Sequence, residues 1–347
     1  TSIEVDGVER EFRLSAPSSE SGTRLPLVIA FHGGTDSQED FAQQEQFDQL
    51  GEQEKFVMAY AIAEQDRTAA EGEWFLNTAA TSEEDNNFAE AIVDELSESY
   101  CIDQDRLYAI GYSLGAMFTY EIACQLNHRF AATASFAGTM PVNPESCDIA
   151  RGIGILHIHG KLDYIIYYHQ DWEWKDGEHE GVGTMSEVPN LIDYWAAKSS
   201  CQAISVETSL TEEHIIHNGC MDDAIIEHYG LQLWDHNWPG EVDGEPTYEL
   251  MWNFLSQFST PTSATGKLEE RVRADQARRR KHLRKEEQER MRQLAEDRRA
   301  IDEDEARDLA TTRDRVLRIR EGERMRSGEA VKSVSYTHLR AHETATY

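Results

Sequence analysis

The chain has 347 residues and carries 33 Lys and Arg against 65 Asp and Glu, a formal net charge of −32. That acidity repels nucleic-acid phosphates and anionic membrane surfaces, so neither is an expected partner. No run of about 18 apolar residues occurs, which argues against a transmembrane helix.

The charge is unevenly placed. Residues 1–266 hold 11 basic and 47 acidic side chains, net −36, whereas 267–347 hold 22 and 18, net +4. The chain opens on Thr-Ser-Ile-Glu-Val-Asp-Gly, with no initiator Met, basic n-region or apolar h-region. Any signal peptide is therefore expected to have been removed or to lie outside this sequence; a secreted or periplasmic location is the expectation on the reading that the widely spaced cysteines belong to an exported protein.

In chain order, Glu9 to Leu14 alternates like an edge strand, and Leu25 to Phe31 is a continuous apolar run ending in His32-Gly33-Gly34. Phe56 to Ile62 reads as the next strand. From Phe88 to Tyr100, Phe88, Ile92, Val93 and Leu96 share one helical face. Leu107 to Ile110 reads as a buried strand, followed by Gly111-Tyr112-Ser113-Leu114-Gly115 and a helix from Ala116 to Leu126. Ala131 to Ala137 and Gly154 to His159 read as central strands, Leu191 to Lys198 as helix, Ala224 to Trp234 as strand and Tyr248 to Phe258 as the closing helix. This alternation predicts an α/β architecture, a doubly wound, mostly parallel sheet with helices on both faces.

After Phe258 the composition changes. Residues 259–266 (Ser-Thr-Pro-Thr-Ser-Ala-Thr-Gly) read as a linker, and the following stretch is rich in Arg, Glu, Asp and Ala with many i,i+4 opposite-charge pairs, the pattern of a solvated charged helix. Val334 to Thr344 reads as a translated transposon-type sequencing adapter and is set outside the fold. The expected division is thus a catalytic domain over 1–260, a linker and charged helical tail over 261–333, not necessarily native to the protein, and an unstructured adapter-like end over 334–347.

Gly111 to Gly115 has the G-x-S-x-G form, and its setting between a buried strand and a helix is what gives the pentapeptide weight. A sharp strand-to-helix turn presents the Ser113 hydroxyl at the top of the sheet, next to helix N–H groups that favour developing negative charge. The alternative is an ordinary βα turn with a helix-capping serine. A serine nucleophile needs a base and an acid to orient it, and in α/β hydrolases these follow in the order Ser, Asp or Glu, His. Asp163 comes just past the strand Ile155 to His159, with a turn-capping role as its alternative. Of 13 histidines, only His228 and His236 follow the late strand and precede the last helix. The oxyanion donors expected are the backbone N–H groups of Leu114 and Gly34.

With these residues in place, the body resembles the poly(3-hydroxybutyrate) depolymerase and feruloyl esterase group of secreted α/β hydrolases. The likeness runs from Val5 to Phe258 and rests on the His32-Gly33-Gly34 loop, the stretch Ile102 to Met117, Phe136-Ala-Gly-Thr139, His157-Ile-His-Gly-Lys-Leu-Asp163 and His236-Asn-Trp-Pro-Gly240. In that group the acid lies in an H-G-x-x-D turn and the base in an H-x-W-P-G loop, which implies Asp163 and His236 as partners of Ser113. The resemblance also implies pairing of Cys201 with Cys220, the rest of the five cysteines being left unassigned. Without it, buried thiols are an equal reading.

Three departures bear on specificity. Ile166-Tyr167-Tyr168 stands where the group has V-P-Y, Trp234-Asp235 replaces glycines before the base, and Asp171 to Glu180 is more acidic and aromatic than usual. Trp238, Trp74 and Tyr112 are candidates to line an aromatic cleft, with plain packing as the alternative.

These readings imply a serine carboxylic ester hydrolase acting on a small-molecule or polymeric ester, with no metal or organic cofactor required. A non-catalytic binding module on the same scaffold, or an acyltransferase or peptidase, are the competing classes. The net charge of −36 on residues 1–266, with only Lys55, Lys161, Lys175 and Lys198 as lysines, predicts self-repulsion at low ionic strength. Tm is expected to climb steeply from low to molar NaCl, and a flat curve would refute adaptation to a saline environment.

Overall fold

The computed structural model describes residues 1–20, 22–34, 41–64, 74–174, 181–260 and 318–319. The chain divides into two units, Thr1–Val272 and Arg273–Tyr347. Nearly all of the expected charged tail and all of the adapter-like end lie outside the described residues.

The first unit begins with β1 (Ser2–Val5) and β2 (Val8–Ser15), joined by Asp6 and Gly7 at φ 52° and 86°. Positive φ at both central positions makes the tight turn whose twist matches the two strands. The strand read as an edge from Glu9 to Leu14 is therefore not one: β1 covers β2, and the edges are β1 and the later β10. β3 (Leu25–Phe31) is buried along its whole length, as its unbroken apolar run requires of a central parallel strand. α1 (Gln44–Glu54) leads to β4 (Val57–Ala61), and α2 (Glu84–Ser99) to β5 (Ile102–Tyr112). α3 (Leu114–Gln125) returns to β6 (Ala132–Phe136), which is followed by β7 (Gly154–Gly160). A short ribbon of β8 (Trp172–Glu173) and β9 (Thr184–Met185) precedes α4 (Val188–Lys198). Then come β10 (Ala203–Thr208), β11 (Glu212–Asn218) and β12 (Ile226–Leu231), the ribbon β13 (Glu241–Val242) and β14 (Glu245–Pro246), and α5 (Thr247–Leu255).

The main sheet has ten strands in the order β1-β2-β4-β3-β5-β6-β7-β12-β11-β10. From β4 to β12 every pairing is parallel, and the outer pairings are antiparallel. Two cores flank it. One packs α2, α3 and α4 residues such as Phe88, Phe118 and Trp195 on one face, and the other packs Phe47 of α1 and Trp252 of α5 on the opposite face. The expected doubly wound α/β architecture is thus present.

Cys201 and Cys220 are bonded, as the resemblance implied, and Cys124 is bonded to Cys147; Cys101 is a free, exposed thiol. The first bond ties the end of α4 to the segment after β11 and the second anchors α3, each closing a loop of a size that stabilises by about 3 kcal/mol in the chain-entropy picture.

Strand order fixes where chemistry can occur. The chain passes from β3 outward to β4 and then returns to β5 on the other side of β3, so β3 and β5 bracket a topological switch point. A crevice opens outside the carboxyl ends of strands at such a point. His32-Gly33-Gly34 leaves β3 there, and Ser113 leaves β5 beside it.

Candidate active site

Ser113 sits between β5 and α3 at φ 53°, ψ −120°, a backbone conformation that ordinary side chains rarely adopt and that costs about 1–3 kcal/mol. The turn is held by the Ser113 N–H donating to the Phe136 carbonyl at 2.9 Å. Its two flanking glycines are steric necessities. A Cβ on Gly111 would lie 2.3 Å from the Gly115 carbonyl oxygen, and one on Gly115 would lie 2.0 Å from that of Phe31. The second contact shows how closely the start of α3 presses on the exit of β3. The same approach sets Gly34 beside Leu114, whose Cδ2 is 3.7 Å from where a Gly34 Cβ would stand. The Leu114 N–H is in the first turn of α3 and has no partner within the helix.

His236 lies in the loop after β12. Its Nε2 is 2.8 Å from Ser113 Oγ, and its Nδ1 is 2.7 Å from Asp163 Oδ2. Asp163 follows β7 in the turn Gly160 to Asp163, where its Oδ1 accepts the backbone N–H groups of Ile165 at 2.8 Å and Ile166 at 2.9 Å. Those two bonds fix the carboxylate without the proline that the resemblance led one to look for. Burial pushes the Asp163 carboxyl pKa up, but hydrogen bonds and charge interactions with His159 and His236 outweigh it and hold it well below its ordinary value. With Asp163 ionised, the Nδ1–H tautomer of His236 donates to it and leaves Nε2 as an acceptor for the Ser113 hydroxyl. The structure therefore brings the three predicted residues together in the order an acyl-transfer serine needs.

His228, the other late histidine, does not reach this group. It is buried in β12 and accepts the Tyr168 hydroxyl at Nε2, 2.7 Å away. Asp235, beside the base in sequence, is occupied elsewhere: it accepts the Asn237 backbone N–H at 3.0 Å and side-chain amide at 2.8 Å. These bonds lower its pKa.

The three aromatic candidates separate. Tyr112 donates its hydroxyl to the His236 carbonyl at 3.0 Å and has its ring 5.5 Å from the imidazole, so it braces the His236 loop. Trp238 is half-buried, 5.8 Å from Tyr112 by ring centroid, and donates Nε1–H to Gln43 Oε1 at 3.0 Å. Tyr112 thus stands next to a reacting group, and Trp238 packs on Tyr112. Trp74 does not line a cleft: it is 2 % exposed, packs on Phe31 and Phe118, and donates Nε1–H to the His32 carbonyl at 2.9 Å. A large indole on an apolar core surface is driven inward unless something outside competes, so Trp74 supports the β3 exit loop from beneath. The neighbouring Phe75 N–H donates to Asp85, which pairs with Arg10 at 2.9 Å, both side chains being buried. Of the acidic, aromatic segment Asp171 to Glu180, residues 175–180 lie outside the described residues; Trp172 and Trp174 sit 5.7 Å apart by ring centroid.

Sequence reasoning missed the partners behind Asp163. His157 and His159 are fully buried on β7 and contact each other at 3.2 Å, and His159 Nε2 is 3.2 Å from Asp163 Oδ2. The H-x-H alternation that puts both on one strand face was visible, but it was read only as part of a motif.

Comparison with known proteins places the chain among similar esterases. A family described as Phospholipase/Carboxylesterase matches residues 18–175. A bifunctional acetylxylan esterase/xylanase of Neocallimastix patriciarum is 24 % identical over 75 % of this chain and 35 % of its own length. Feruloyl esterase B of Piromyces equi is 23 % identical over 73 % of this chain and 46 % of its own length. The chain thus spans a third to a half of the length of these relatives. Among solved structures, an acetyl xylan esterase from Aspergillus awamori superposes with a TM-score of 0.50 at 14 % identity, covering 71 % of this chain and 93 % of that one, a likeness of fold.

Proposed function

We propose that this chain is an esterase-like α/β hydrolase, a serine carboxylic ester hydrolase working through Ser113, His236 and Asp163. The observation that carries the proposal is the continuous contact from Ser113 Oγ through His236 to Asp163, at 2.8 and 2.7 Å, on a strained turn at the switch point of the sheet.

In this mechanism His236 Nε2 takes the proton of Ser113 as Oγ attacks the ester carbonyl carbon. The carbonyl oxygen, now negative, is met by the backbone N–H groups of Leu114 and Gly34. Asp163 holds the imidazole with Nδ1–H toward itself and stabilises the imidazolium. His236 then gives the proton to the departing alkoxide, leaving an acyl group on Ser113. Water, deprotonated by the same imidazole, attacks the acyl carbonyl and releases the acid. Every step uses groups of the chain itself and water.

Similarity to an acetylxylan esterase and a feruloyl esterase makes acetyl and feruloyl esters the first substrates to examine, and the resemblance adds polyhydroxybutyrate-type polyesters. Tyr112 and Trp238, half-buried beside His236, offer aromatic surface to a feruloyl ring. Two disulfides support a secreted or periplasmic location. A panel of p-nitrophenyl acetate, methyl ferulate, acetylated xylan, polyhydroxybutyrate film and a p-nitroanilide amide tests the reading. Turnover of at least one ester with the amide untouched is the expected result, and preference for the amide would make the chain a peptidase.

A further inference from the structure

Behind Asp163, the buried imidazoles of His157, His159 and His228 pack against one another, and their hydrogen bonds determine their tautomers. His159 Nε2 faces two oxygens, the Ile166 carbonyl at 2.9 Å and Asp163 Oδ2 at 3.2 Å. Neither can donate, so this nitrogen carries the hydrogen. His157 Nε2 faces the Gly138 carbonyl at 3.1 Å and His159 Nδ1 at 3.2 Å, so it is N–H too and leaves His159 Nδ1 as an acceptor. His228 donates Nδ1–H to the His157 carbonyl at 3.1 Å and accepts the Tyr168 hydroxyl at Nε2. Each ring is neutral with one tautomer, and the remaining nitrogen of His157, Nδ1, is buried without a hydrogen-bond partner. Burial, with the neighbouring rings, holds His157 well below its ordinary pKa and His228 at about 3, in keeping with neutral rings. No nitrogen lone pairs converge, and among the described residues no group of His, Cys, Asp and Glu is arranged to hold a metal ion.

Register explains how the rings meet. His157 lies opposite His228, and His159 opposite Gly230, in the parallel β7–β12 ladder. A Cβ on Gly230 would come within 2.7 Å of the Tyr168 hydroxyl and 3.2 Å of His228 Nε2, so glycine leaves the space the hydrogen bond occupies. Other ionisable groups nearby include Tyr120 from α3, whose ring is 6.2 Å from that of His157, Lys161, which lies over Tyr168 and pairs with Glu213 of β11 at 2.8 Å, His214 of β11, whose charge acts on His228, and Asp235, whose charge interacts with that of Asp163.

We propose that His159 is a positioning residue for the reaction, an inference that rests on the esterase reading: its Nε2–H shares Asp163 Oδ2 with the His236 Nδ1–H. This second donor completes the carboxylate's shell, since Oδ1 already takes two backbone N–H groups. It keeps Asp163 ionised and in one orientation, and it draws off charge that would otherwise bind the His236 proton more tightly. The His157 Nε2–H, which faces the Gly138 carbonyl, holds the His159 tautomer that makes this donation.

The test is the pH dependence of kcat/KM for a small ester in His159→Leu and His159→Gln. Without the donor, the acid limb is expected to move up by about one pH unit. Gln carries an N–H at the corresponding position and should restore the limb. A packing role alone would lower Tm and the fraction of active chains while leaving the limb in place, and that result overturns the proposal. If the wild-type chain turned over no ester, the esterase reading would fail, and an NMR titration of the His236 ring in the same variants would still show or lack the upward shift. Should His159→Leu not fold, nitrogen NMR of the wild-type chain decides: His159 is expected with Nε2 protonated and Nδ1 unprotonated across neutral pH, and the opposite tautomer or a doubly protonated ring overturns the proposal.

Discussion

Ser113→Ala is expected to lower kcat for p-nitrophenyl acetate by about a million-fold, with circular dichroism unchanged. The size follows from what the side chain does, since no other described hydroxyl contacts His236 Nε2. The backbone donors would still bind the carbonyl oxygen, so a small residual rate above water is consistent with the account. Folding should survive because the strained turn is built from the Phe136 carbonyl bond and from Gly111 and Gly115, none of which needs the hydroxyl. Retained turnover in purified Ser113→Ala would remove Ser113 from the mechanism.

Asp163→Asn is expected to cost about ten-thousand-fold in kcat, and the structure says why so small a change is so damaging. Oδ1 accepts the N–H groups of Ile165 and Ile166, so the oxygen of an asparagine amide must stay there. Its –NH2 then takes the place of Oδ2 and points hydrogens at His236 Nδ1. The imidazole relieves this by adopting the other tautomer, with its hydrogen on Nε2 facing Ser113, and can no longer accept the serine proton. The loss should appear in kcat with KM little altered. An Asp163→Asn enzyme within tenfold of wild type would show that the imidazole does not depend on this carboxylate for its tautomer.

The fold was legible where residues are buried on both sides. Leu25 to Phe31 matches β3 residue for residue because a central parallel strand has no polar face to interrupt its apolar run. The short α1 escaped because, apart from Gly51, it buries only Phe47 and Leu50 within an otherwise polar stretch of Gln, Glu and Asp, too few contacts to declare a helical period. Ala224 to Trp234 overran the strand at both ends: the segment Met221–Asp223 is a short helical turn, and the chain turns again after Leu231. β10, exposed at every residue, carried no burial signal of its own and is set by its pairing with β11.

The candidate site was legible for a different reason. Ser113 sits in a glycine-flanked turn and Asp163 in a turn just past a strand, so their positions could be read before their contacts were known, whereas His236 was separated from His228 only by the resemblance of its loop. Trp74 shows the limit: an indole between Glu73 and Phe75 says nothing of whether it faces a cleft or the core, and only packing against Phe31 and Phe118 decides. The place of His228 beside His157 was hidden because it depends on β7 lying beside β12, a long-range pairing that no local pattern encodes. Pairing of Cys124 with Cys147 was hidden in the same way.

The central claim is that Ser113 is a nucleophile made reactive by His236. Treating the folded chain with a fluorophosphonate and mapping the adduct by peptide mass spectrometry tests it most directly. The account predicts a single adduct, on Ser113, formed slowly or not at all when His236 is replaced by alanine. No adduct on the folded wild-type chain, or an adduct on another serine, would contradict it.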